Sequence, residues 1–406
     1  MGSAAPHSLV ATGSRAVSAF ATGDPGWSFT HCPAGPPWRV EWAALVDRFA
    51  WLRGMAGCPQ DPAFHAEGDV LIHVGMVAEA LVALPAWQAL AAEERSILFA
   101  AALLHDVAKP RCTATEPDGR ISARGHARIG ARMARQILWQ DDPAFRASPV
   151  PFACREAVAG LVRLHGLPVY LTDDAEPDRA VIRASQRVRC DRLALLAEAD
   201  VRGRRCPDPD DLLARIDLFR DYAAEWGCLE DPYPFASDHS RFLYFRKAGA
   251  DPAYAAYDDT RCRATLLSGM PGAGKDHHLR HTLPGLPVIS LDALRESLRV
   301  DPGEAQGVVI DAAREQAREH LRSGRDFAWN ATNLTRQMRA RLIDLFADYG
   351  ARIRIVYLEA PWAEMYRRNA DRPRPVPDAV IRRMAASLEV PDRTEAHEVL
   401  WLAEGA

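Results

Sequence analysis

The sequence of 406 residues has no closely spaced cysteine pair, no long apolar run and very little lysine. Its eight cysteines are scattered and include no Cys-x-x-Cys pair, so we expect neither a disulfide framework nor a zinc finger. No apolar stretch approaches the roughly 18 residues that a membrane span requires. A basic start followed by an apolar core, the mark of a signal peptide, is also missing. These absences predict a cytoplasmic protein with no membrane partner.

The charge balance is nearly neutral, with a net charge of −4. A chain that coats nucleic acid would be more basic, although an enzyme acting on nucleic-acid ends needs only a local basic patch. Lysine occurs only at Lys109, Lys247 and Lys275, while arginine is abundant. Since arginine could have replaced any dispensable lysine, each of these three is a candidate for a specific role.

The composition divides the chain into four segments. Residues 1–36, rich in Gly, Ala, Ser and Pro, predict a leader that is loose, partly ordered or disordered. Apolar residues recur at helical spacing through residues 37–228, which predicts an all-α domain. Residues 229–262 are rich in Pro and aromatic residues and predict a connector packed against a domain. In residues 263–406, short apolar runs alternate with helical stretches, which is typical of a parallel sheet flanked by helices.

Within these segments, the clearest helical patterns cover residues 38–54, 70–84, 93–108, 126–139, 155–165 and 191–201. Strands are predicted at residues 264–268, 286–290, 326–330 and 352–360. The sequence therefore predicts an all-α domain followed by an α/β domain.

The segment from Gly269 to Asp276 reads GMPGAGKD and fits the phosphate-binding pattern G-x-x-x-x-G-K. It lies between a predicted strand and a predicted helix, which favours a phosphate loop over a mere tight turn. Glycines let backbone N–H groups turn toward phosphates, the helix N-terminus favours negative charge, and the lysine neutralises the outer phosphates. We therefore expect ATP or another NTP, with Mg²⁺, to be bound by Gly269, Gly272, Ala273, Gly274 and Lys275.

Asp276 occupies the position after the lysine, where such loops normally have a Ser or Thr whose hydroxyl holds Mg²⁺. A carboxylate beside a triphosphate is repelled unless the metal lies between them, so Asp276 could hold the metal directly or through water. His277 follows it and is a further candidate contact to the nucleotide.

Asp292 and Arg295 follow the second predicted strand and share one face of the next helix. The carboxyl ends of parallel strands line the ligand crevice, where a carboxylate can take the proton of an attacking hydroxyl. The alternative for Asp292 is a plain helix N-cap. A basic stretch after the last predicted strand favours a lid over phosphates rather than a solvated face; it contains Arg367, Arg368, Arg372 and Arg374.

Together, GMPGAGK, SLDALR, NATNL and RRNADRPRPVP resemble the P-loop polynucleotide kinases that phosphorylate 5′-hydroxyl ends, over most of the α/β segment. The resemblance implies that Asp292 is the general base and that Arg295 grips a substrate phosphate. It also implies that Arg372 stabilises the transferring phosphoryl group and that Arg368 is a nearby lid residue. Ala331 stands where the family often has an aspartate, so that acid is absent.

The helical half carries histidines and aspartates on or next to predicted helices. A lone histidine there is usually a packed or surface residue, so the information lies in the order of the series. That order is His73, the adjacent pair His105-Asp106, Lys109, His126, His165 and Asp200. An early histidine, a His-Asp doublet and a late aspartate on a distant helix resemble the HD phosphohydrolase superfamily.

This second resemblance implies one set of primary metal ligands: His73, His105, Asp106 and Asp200. His126 and His165 match positions that in some members bind a second metal or contact the phosphate. Mixed imidazole and carboxylate ligands suit Mn, Fe, Co, Ni or Zn, and such an ion polarises a phosphate and activates water. Lys109 could offset charge on the leaving phosphate, or it could be a solvated helix end.

The two modules together resemble the bacterial fusion of an HD domain with a polynucleotide kinase that heals RNA ends. That resemblance implies RNA, or DNA, ends as partners, phosphorylation of a 5′-OH, and removal of a 3′-phosphate or 2′,3′-cyclic phosphate. HAEGDVLIHV is also similar to the HD region of bacterial tRNA nucleotidyltransferases, but their polymerase head is missing. The alternatives are an HD nucleotidase fused to a small-molecule or nucleoside kinase, and an ATP-gated switch, which the intact His105-Asp106 pair disfavours. The sequence leaves the oligomeric state open.

Overall fold

The computed structural model describes residues 26–140, 149–301, 306–372 and 374–403. Its first part is helical, as predicted. The helices are α1 (Trp42–Arg48), α2 (Ala50–Arg53), α3 (Val70–Ala83), α4 (Pro85–Gln88), α5 (Ala92–Leu104), α6 (Lys109–Cys112), α7 (His126–Trp139), α8 (Phe152–Leu164), α9 (Leu167–Tyr170), α10 (Pro177–Ser185), α11 (Cys190–Arg202), α12 (Pro209–Glu225) and α13 (Asp238–Arg246). A short antiparallel hairpin, β1 (Ala114–Thr115) and β2 (Ile121–Ser122), separates α6 from α7.

One expectation for the N-terminal part is wrong, and the structure adds detail to another. The single helix predicted over residues 38–54 breaks at Phe49, whose extended backbone turns its ring into the core. The expected leader, residues 1–36, includes Trp27 and Phe29, which are both buried in the helical core. Burying two aromatic side chains stabilises this stretch against the helices, so residues 26–36 pack as part of the helical domain. Residues 1–25 lie outside the described residues.

The second part confirms the predicted α/β class. Five parallel strands form a sheet in the order β4-β5-β3-β6-β7: β3 (Cys262–Ser268), β4 (Val288–Ser290), β5 (Phe327–Asn330), β6 (Ala351–Glu359) and β7 (Glu398–Ala403). The flanking helices are α14 (Lys275–Thr282), α15 (Leu291–Leu298), α16 (Gly307–Arg322), α17 (Arg336–Asp348), α18 (Trp362–Ala370) and α19 (Asp378–Ser387). The edge strand β7 was not predicted, because its half-exposed residues lack the continuous burial of the inner strands.

The central strand β3 is buried on both faces, as expected for a parallel sheet covered by helices. The predicted connector packs against both halves: Tyr233 contacts the helical core, while Phe242 on α13 belongs to the core of the sheet. None of the helices in the described parts of the chain is long and apolar enough to cross a membrane.

The helical domain and the sheet meet at a buried junction formed by α7, α8 and the end of β6. Arg155 on α8 is 1% exposed and makes two 2.8 Å hydrogen bonds to the carboxylate of Glu359. Its guanidinium lies 5.1 Å from the ring of Trp139 and 5.2 Å from that of Phe152. Trp139 also packs edge-on against Trp362, which opens α18. The junction therefore joins the last residue of α7 to the predicted lid helix.

Candidate active sites

Four predicted metal ligands come together from three elements of the helical domain. His73 lies on α3, His105 and Asp106 follow α5, and Asp200 lies on α11. The Nε2 atom of His73 is 3.2 Å from Asp200 Oδ1 and 3.3 Å from His105 Nε2. The distance from His105 Nε2 to Asp106 Oδ2 is 3.2 Å. These four side chains, which we call the metal centre, converge on one point.

His126 and His165 extend the metal centre on its other side. His126 opens α7 and His165 directly follows α8, and their Nε2 atoms are 3.3 Å apart. Asp106 Oδ1 lies 3.5 Å from His126 Nε2, while Asp106 Oδ2 faces His105. Asp106 thus presents one oxygen to each set of histidines, an arrangement that could hold one metal ion or two.

Backbone carbonyls fix the orientation of three of these imidazoles. The Nδ1 atoms of His105, His126 and His165 lie 2.7, 2.8 and 2.9 Å from the carbonyl oxygens three residues earlier. A carbonyl only accepts hydrogen bonds, so each Nδ1 carries the proton. Each Nε2 then keeps a free lone pair that faces the metal centre, which is how metal-ligating histidines are usually prepared.

The residues present fit a divalent metal ion. Asp106 Oδ1 and Asp200 Oδ1 are buried, yet neither accepts a hydrogen bond from the described residues. Such atoms are rare in native proteins and call for a missing partner, and neutral imidazoles with carboxylates form the donor set of first-row transition metals. Burial alone would raise the pKa of Asp106, but the ammonium group of Lys109 holds it well below its usual value. The carboxylate therefore stays ionised, as a ligand must.

Several residues that the sequence did not single out surround the metal centre. The carboxylate oxygen Oε1 of Glu67 lies 2.9 Å from His73 Nδ1 and 2.8 Å from His65 Nδ1. Arg204 pairs with the second oxygen of Asp200 at 2.7 Å. His65 and Glu67 stand in the stretch HAEGDVLIHV, so their spacing before His73 was the available signal.

Lys109 belongs to this same cluster. Its Nζ lies 2.7 Å from Asp106 Oδ2 and donates a 2.6 Å hydrogen bond to Gln60 Oε1. Its side chain is only 12% exposed, so it is not a solvated helix end. The lysine is held beside a predicted metal ligand, within reach of a phosphate bound there.

The predicted phosphate loop connects β3 to α14 and depends on its glycines. Gly269 and Gly272 have φ angles of +151° and +85°, which favour glycine. A Cβ at Gly269 would lie 2.4 Å from the carbonyl oxygen of Leu358, and one at Gly272 would lie 2.6 Å from that of Met365 on α18. The lid helix therefore packs directly on the loop, with no room for a larger residue.

Lys275 at the end of this loop donates hydrogen bonds to the carbonyl oxygens of Gly269, at 2.8 Å, and Met270, at 2.9 Å. Burial lowers the pKa of Lys275 to about 8. The next residue, Asp276, is exposed, and its Oδ1 accepts a 2.7 Å hydrogen bond from Asn330 at the end of β5. Asn330 was not singled out from the sequence, because only the sheet topology brings β5 beside this helix.

Two further candidate nucleotide contacts lie on either side of the loop. His277 is exposed on α14, where its ring lies 4.3 Å from that of His281. On α18, Arg368 donates a 2.6 Å hydrogen bond to Glu364 Oε1. The Nη1 atom of Arg368 is 3.8 Å from the position of a Cβ on Gly274, so this lid arginine faces the loop.

The three remaining candidates of the kinase-like site form one group. Asp292 on the first turn of α15 contacts Arg295, and Arg372 Nη2 lies 3.9 Å from Asp292 Oδ2. Arg295 also donates a 2.6 Å hydrogen bond to Gln306. The N-cap of α15 is Ser290, whose Oγ accepts from a backbone N–H of the first turn, so the N-cap alternative for Asp292 is wrong. The carboxylate of Asp292 lies at the surface beside these two arginines, with 76% of its side chain exposed.

Comparison with known proteins assigns each half. Residues 70–202 match the HD domain family, and residues 265–391 match the AAA domain family. The A-adding tRNA nucleotidyltransferase of Deinococcus radiodurans is 38% identical over 113 residues, which are 28% of this chain. The chain spans only 24% of the length of that curated relative. The protein thus joins an HD domain to a P-loop domain.

Among solved structures, a presumed kinase from Chloroflexus aurantiacus matches with 16% identity and covers 36% of this chain and 86% of its own. A sugar kinase from a Janibacter species matches with 19% identity, covering 35% of this chain and 85% of its own. Both have a TM-score of 0.29, which is too low to support a conclusion about this chain.

Proposed function

We propose that the protein is a bifunctional enzyme that heals the ends of broken RNA in the cytoplasm. The P-loop domain would transfer the γ-phosphate of ATP or another NTP to a 5′-OH end. The HD domain would remove a 3′-phosphate or a 2′,3′-cyclic phosphate. The observation that carries the proposal is the presence on one chain of a converged His-Asp metal centre and a phosphate loop facing the group of Asp292, Arg295 and Arg372.

In the HD domain, His73, His105, Asp106 and Asp200 would hold a transition metal ion, with His126 and His165 available to a second ion or to the phosphate. A bound ion supplies Lewis acidity toward the phosphate and lowers the pKa of a coordinated water. Lys109, held against Asp106, carries positive charge toward the oxygen that leaves the phosphate. Glu67 keeps the imidazole of His73 oriented.

In the kinase step, Lys275 exchanges the carbonyl oxygens of its own loop for the outer phosphates of the NTP. Asp276, steadied by Asn330, is in position to hold Mg²⁺ in place of the usual hydroxyl. Asp292 takes the proton of the attacking 5′-hydroxyl, while Arg372 stabilises charge on the transferring phosphoryl group. Arg295 binds the phosphate next to the accepting end, and Arg368 closes the lid over the loop.

The test is incubation with a single-stranded RNA that carries a 5′-OH and a 3′-phosphate, together with ATP, Mg²⁺ and a panel of Mn, Fe, Co, Ni and Zn ions. We expect both ends to change, giving a 5′-phosphate and a 3′-OH. A matched DNA strand and a panel of nucleosides are offered in parallel. Efficient phosphorylation of nucleosides with no reaction at the RNA ends would contradict the proposal and favour a small-molecule kinase fused to an HD nucleotidase.

A further inference from the structure

Helix α7 carries a stripe of arginines that leads from the metal centre toward the domain junction. The helix begins at His126 and ends at Trp139, so its two ends lie at these two places. Arg128 and Arg132 share one face, one turn and about 6 Å apart along the helix axis. Arg132 Nη2 donates a 2.6 Å hydrogen bond to Glu389 of the P-loop domain. Basic side chains therefore follow α7 across the boundary between the domains.

Arginines from two other elements join this stripe at the boundary. Arg187, which follows α10, pairs with Asp392 Oδ2 at 2.7 Å. The same oxygen accepts a 2.8 Å hydrogen bond from Arg336, whose backbone N–H donates to Glu389 at 2.9 Å. Three guanidiniums, those of Arg132, Arg187 and Arg336, thus gather around the carboxylates of Glu389 and Asp392, and Glu395 Oε1 lies 3.8 Å from Arg336 Nη1.

Arg163 completes the cluster beside Arg128. It lies two residues before His165. Helices α7 and α8 run antiparallel, because His126 at the start of α7 meets His165 after the end of α8, while Arg135 late in α7 pairs with Glu156 early in α8. Arg128 and Arg163 are both exposed, and neither side chain has a hydrogen bond or ion pair with any residue that the structure describes.

The far end of the cluster lies next to the phosphate-loop site. Arg336 opens α17 directly after residues 331–335, and the carbonyl of Thr332 in that loop accepts a 3.0 Å hydrogen bond from the N–H of Gly269. The five arginines, Arg128, Arg132, Arg163, Arg187 and Arg336, therefore extend from the metal centre to the loop that braces the phosphate loop. We call this surface the arginine strip.

The chemistry of the arginine strip suits a chain of phosphates. A guanidinium binds two phosphate oxygens through parallel hydrogen bonds and is weakly hydrated. The exposed side chains of Arg128 and Arg163 remain available for such contacts. We propose that the arginine strip binds the phosphodiester backbone of a single-stranded RNA whose end occupies the metal centre. This inference rests on the proposed function, because it takes RNA as the substrate of both sites.

The strip is tested by the double variant Arg128→Gln/Arg163→Gln in the full chain, with Arg39→Gln as the matched control. Arg39 is also an exposed arginine, 76% accessible, with one ion-pair contact to Glu41 at 3.5 Å. The dissociation constant of a fluorescent single-stranded RNA is measured by anisotropy over a series of salt concentrations. Each lost phosphate contact should reduce the log–log salt slope by about 0.7, so the double variant should lose about 1.4. Affinity at moderate salt should fall about tenfold while the control stays at the wild-type value.

Two results would contradict the proposal that the arginine strip binds RNA. One is a double variant whose salt slope and affinity equal those of the wild type. The other is competition by polyglutamate as strong as that by RNA of equal charge, which would indicate an acidic protein partner. Thermal unfolding of the double variant, monitored by circular dichroism, is expected to match the wild type, since both side chains are exposed.

Enzyme kinetics distinguish two outcomes: the arginine strip does not bind RNA, or the proposed function itself is wrong. A nucleoside 3′-monophosphate is too short to reach the strip, so the double variant should remove its 3′-phosphate as well as the wild type does. With an RNA oligonucleotide that ends in a 3′-phosphate, the double variant should show a KM for 3′-phosphate removal raised about tenfold. An unchanged KM for RNA would contradict the strip and leave the end-healing function standing. A wild-type protein that acts on no RNA end would contradict the function itself.

Discussion

The metal centre and the phosphate-loop site present their functional groups in opposite ways. His73, His105 and Asp106 are at most 1% exposed, and each is oriented by a neighbouring carbonyl, carboxylate or lysine. Asp292, in contrast, is 76% exposed on its side chain, and Lys275 is bonded to the carbonyl oxygens of its own loop. The first site is organised before any substrate arrives, whereas we expect the second to be completed only when a nucleotide binds.

This difference predicts how each site responds when one of its residues is removed. A buried ligand set works as a unit, so the loss of one ligand should remove the ion and the chemistry together. An open site with separate roles should lose rate or affinity according to the group that is removed. The following predictions test this contrast.

The largest effect is expected from Asp106→Asn. This change neutralises the carboxylate shared by both sets of histidines, so bound transition metal should fall to background and 3′-end hydrolysis by about 10⁴-fold or more, the equivalent of several kcal/mol. Elemental analysis of the purified variant measures the metal, and 5′-phosphorylation with Mg²⁺ serves as the control for folding. Unchanged metal content would contradict the ligand assignment.

Asp292→Asn should affect the other site through rate alone. Removing a general base lowers kcat by roughly 10²–10⁴-fold with little change in the KM for the acceptor. Steady-state phosphorylation of a 5′-OH oligonucleotide measures both constants. Asp311→Asn, an exposed aspartate on α16 with a side chain 78% accessible, is the matched control and should behave as the wild type. A rise in KM with kcat intact would mean that Asp292 only helps to bind substrate.

A smaller effect is expected from Glu67→Gln, which keeps the shape but removes the charge beside His73. Outer-shell partners of metal ligands typically contribute 10–100-fold to metal affinity, so Co²⁺ or Mn²⁺ titrations should show weakening in that range. Glu79→Gln, an exposed change on α3, the helix that carries His73, is the control. Wild-type metal affinity in the Glu67 variant would indicate that the orientation of His73 is set by packing alone.

The smallest effect concerns Arg295→Ala. A phosphate clamp acts before and during transfer, so its loss should raise the KM for oligonucleotide acceptors about tenfold with kcat nearly unchanged. A nucleoside lacks the adjoining phosphate and should be phosphorylated as before. Equal losses on both acceptors would make Arg295 a structural residue and would favour the small-molecule alternative.

The sequence predicted the fold class and the sets of residues that the structure brings together, for a physical reason. Short local patterns carry the phosphate loop, and the adjacent pair His105-Asp106 marks the metal centre even though its other ligands lie on distant helices. The sequence could not predict which residues far apart along the chain contact each other. The pairing of Arg155 with Glu359 spans 204 positions, and the contact between Asp276 and Asn330 depends on which strands are neighbours.

The sequence also did not show where the local structure departs from the regular hydrophobic pattern. The helix break at Phe49 occurs inside a regular apolar pattern, because burial of its ring favours an extended backbone over continued helix. Trp27 and Phe29 lie in a stretch whose composition predicts a loose, partly ordered or disordered leader, and their two buried aromatic rings pack residues 26–36 against the core.

The central claim is that one chain carries two separate sites, each acting on a different end of a broken RNA. The most direct test compares Lys275→Ala with Asp106→Asn on an RNA bearing a 5′-OH and a 3′-phosphate, with ATP and metal present and both ends mapped. We expect the Lys275→Ala variant to produce a 3′-OH and to leave the 5′-OH unchanged. The Asp106→Asn variant should produce a 5′-phosphate and leave the 3′-phosphate in place. Loss of both reactions in either folded variant, or an unchanged RNA with the wild-type protein, would contradict the central claim.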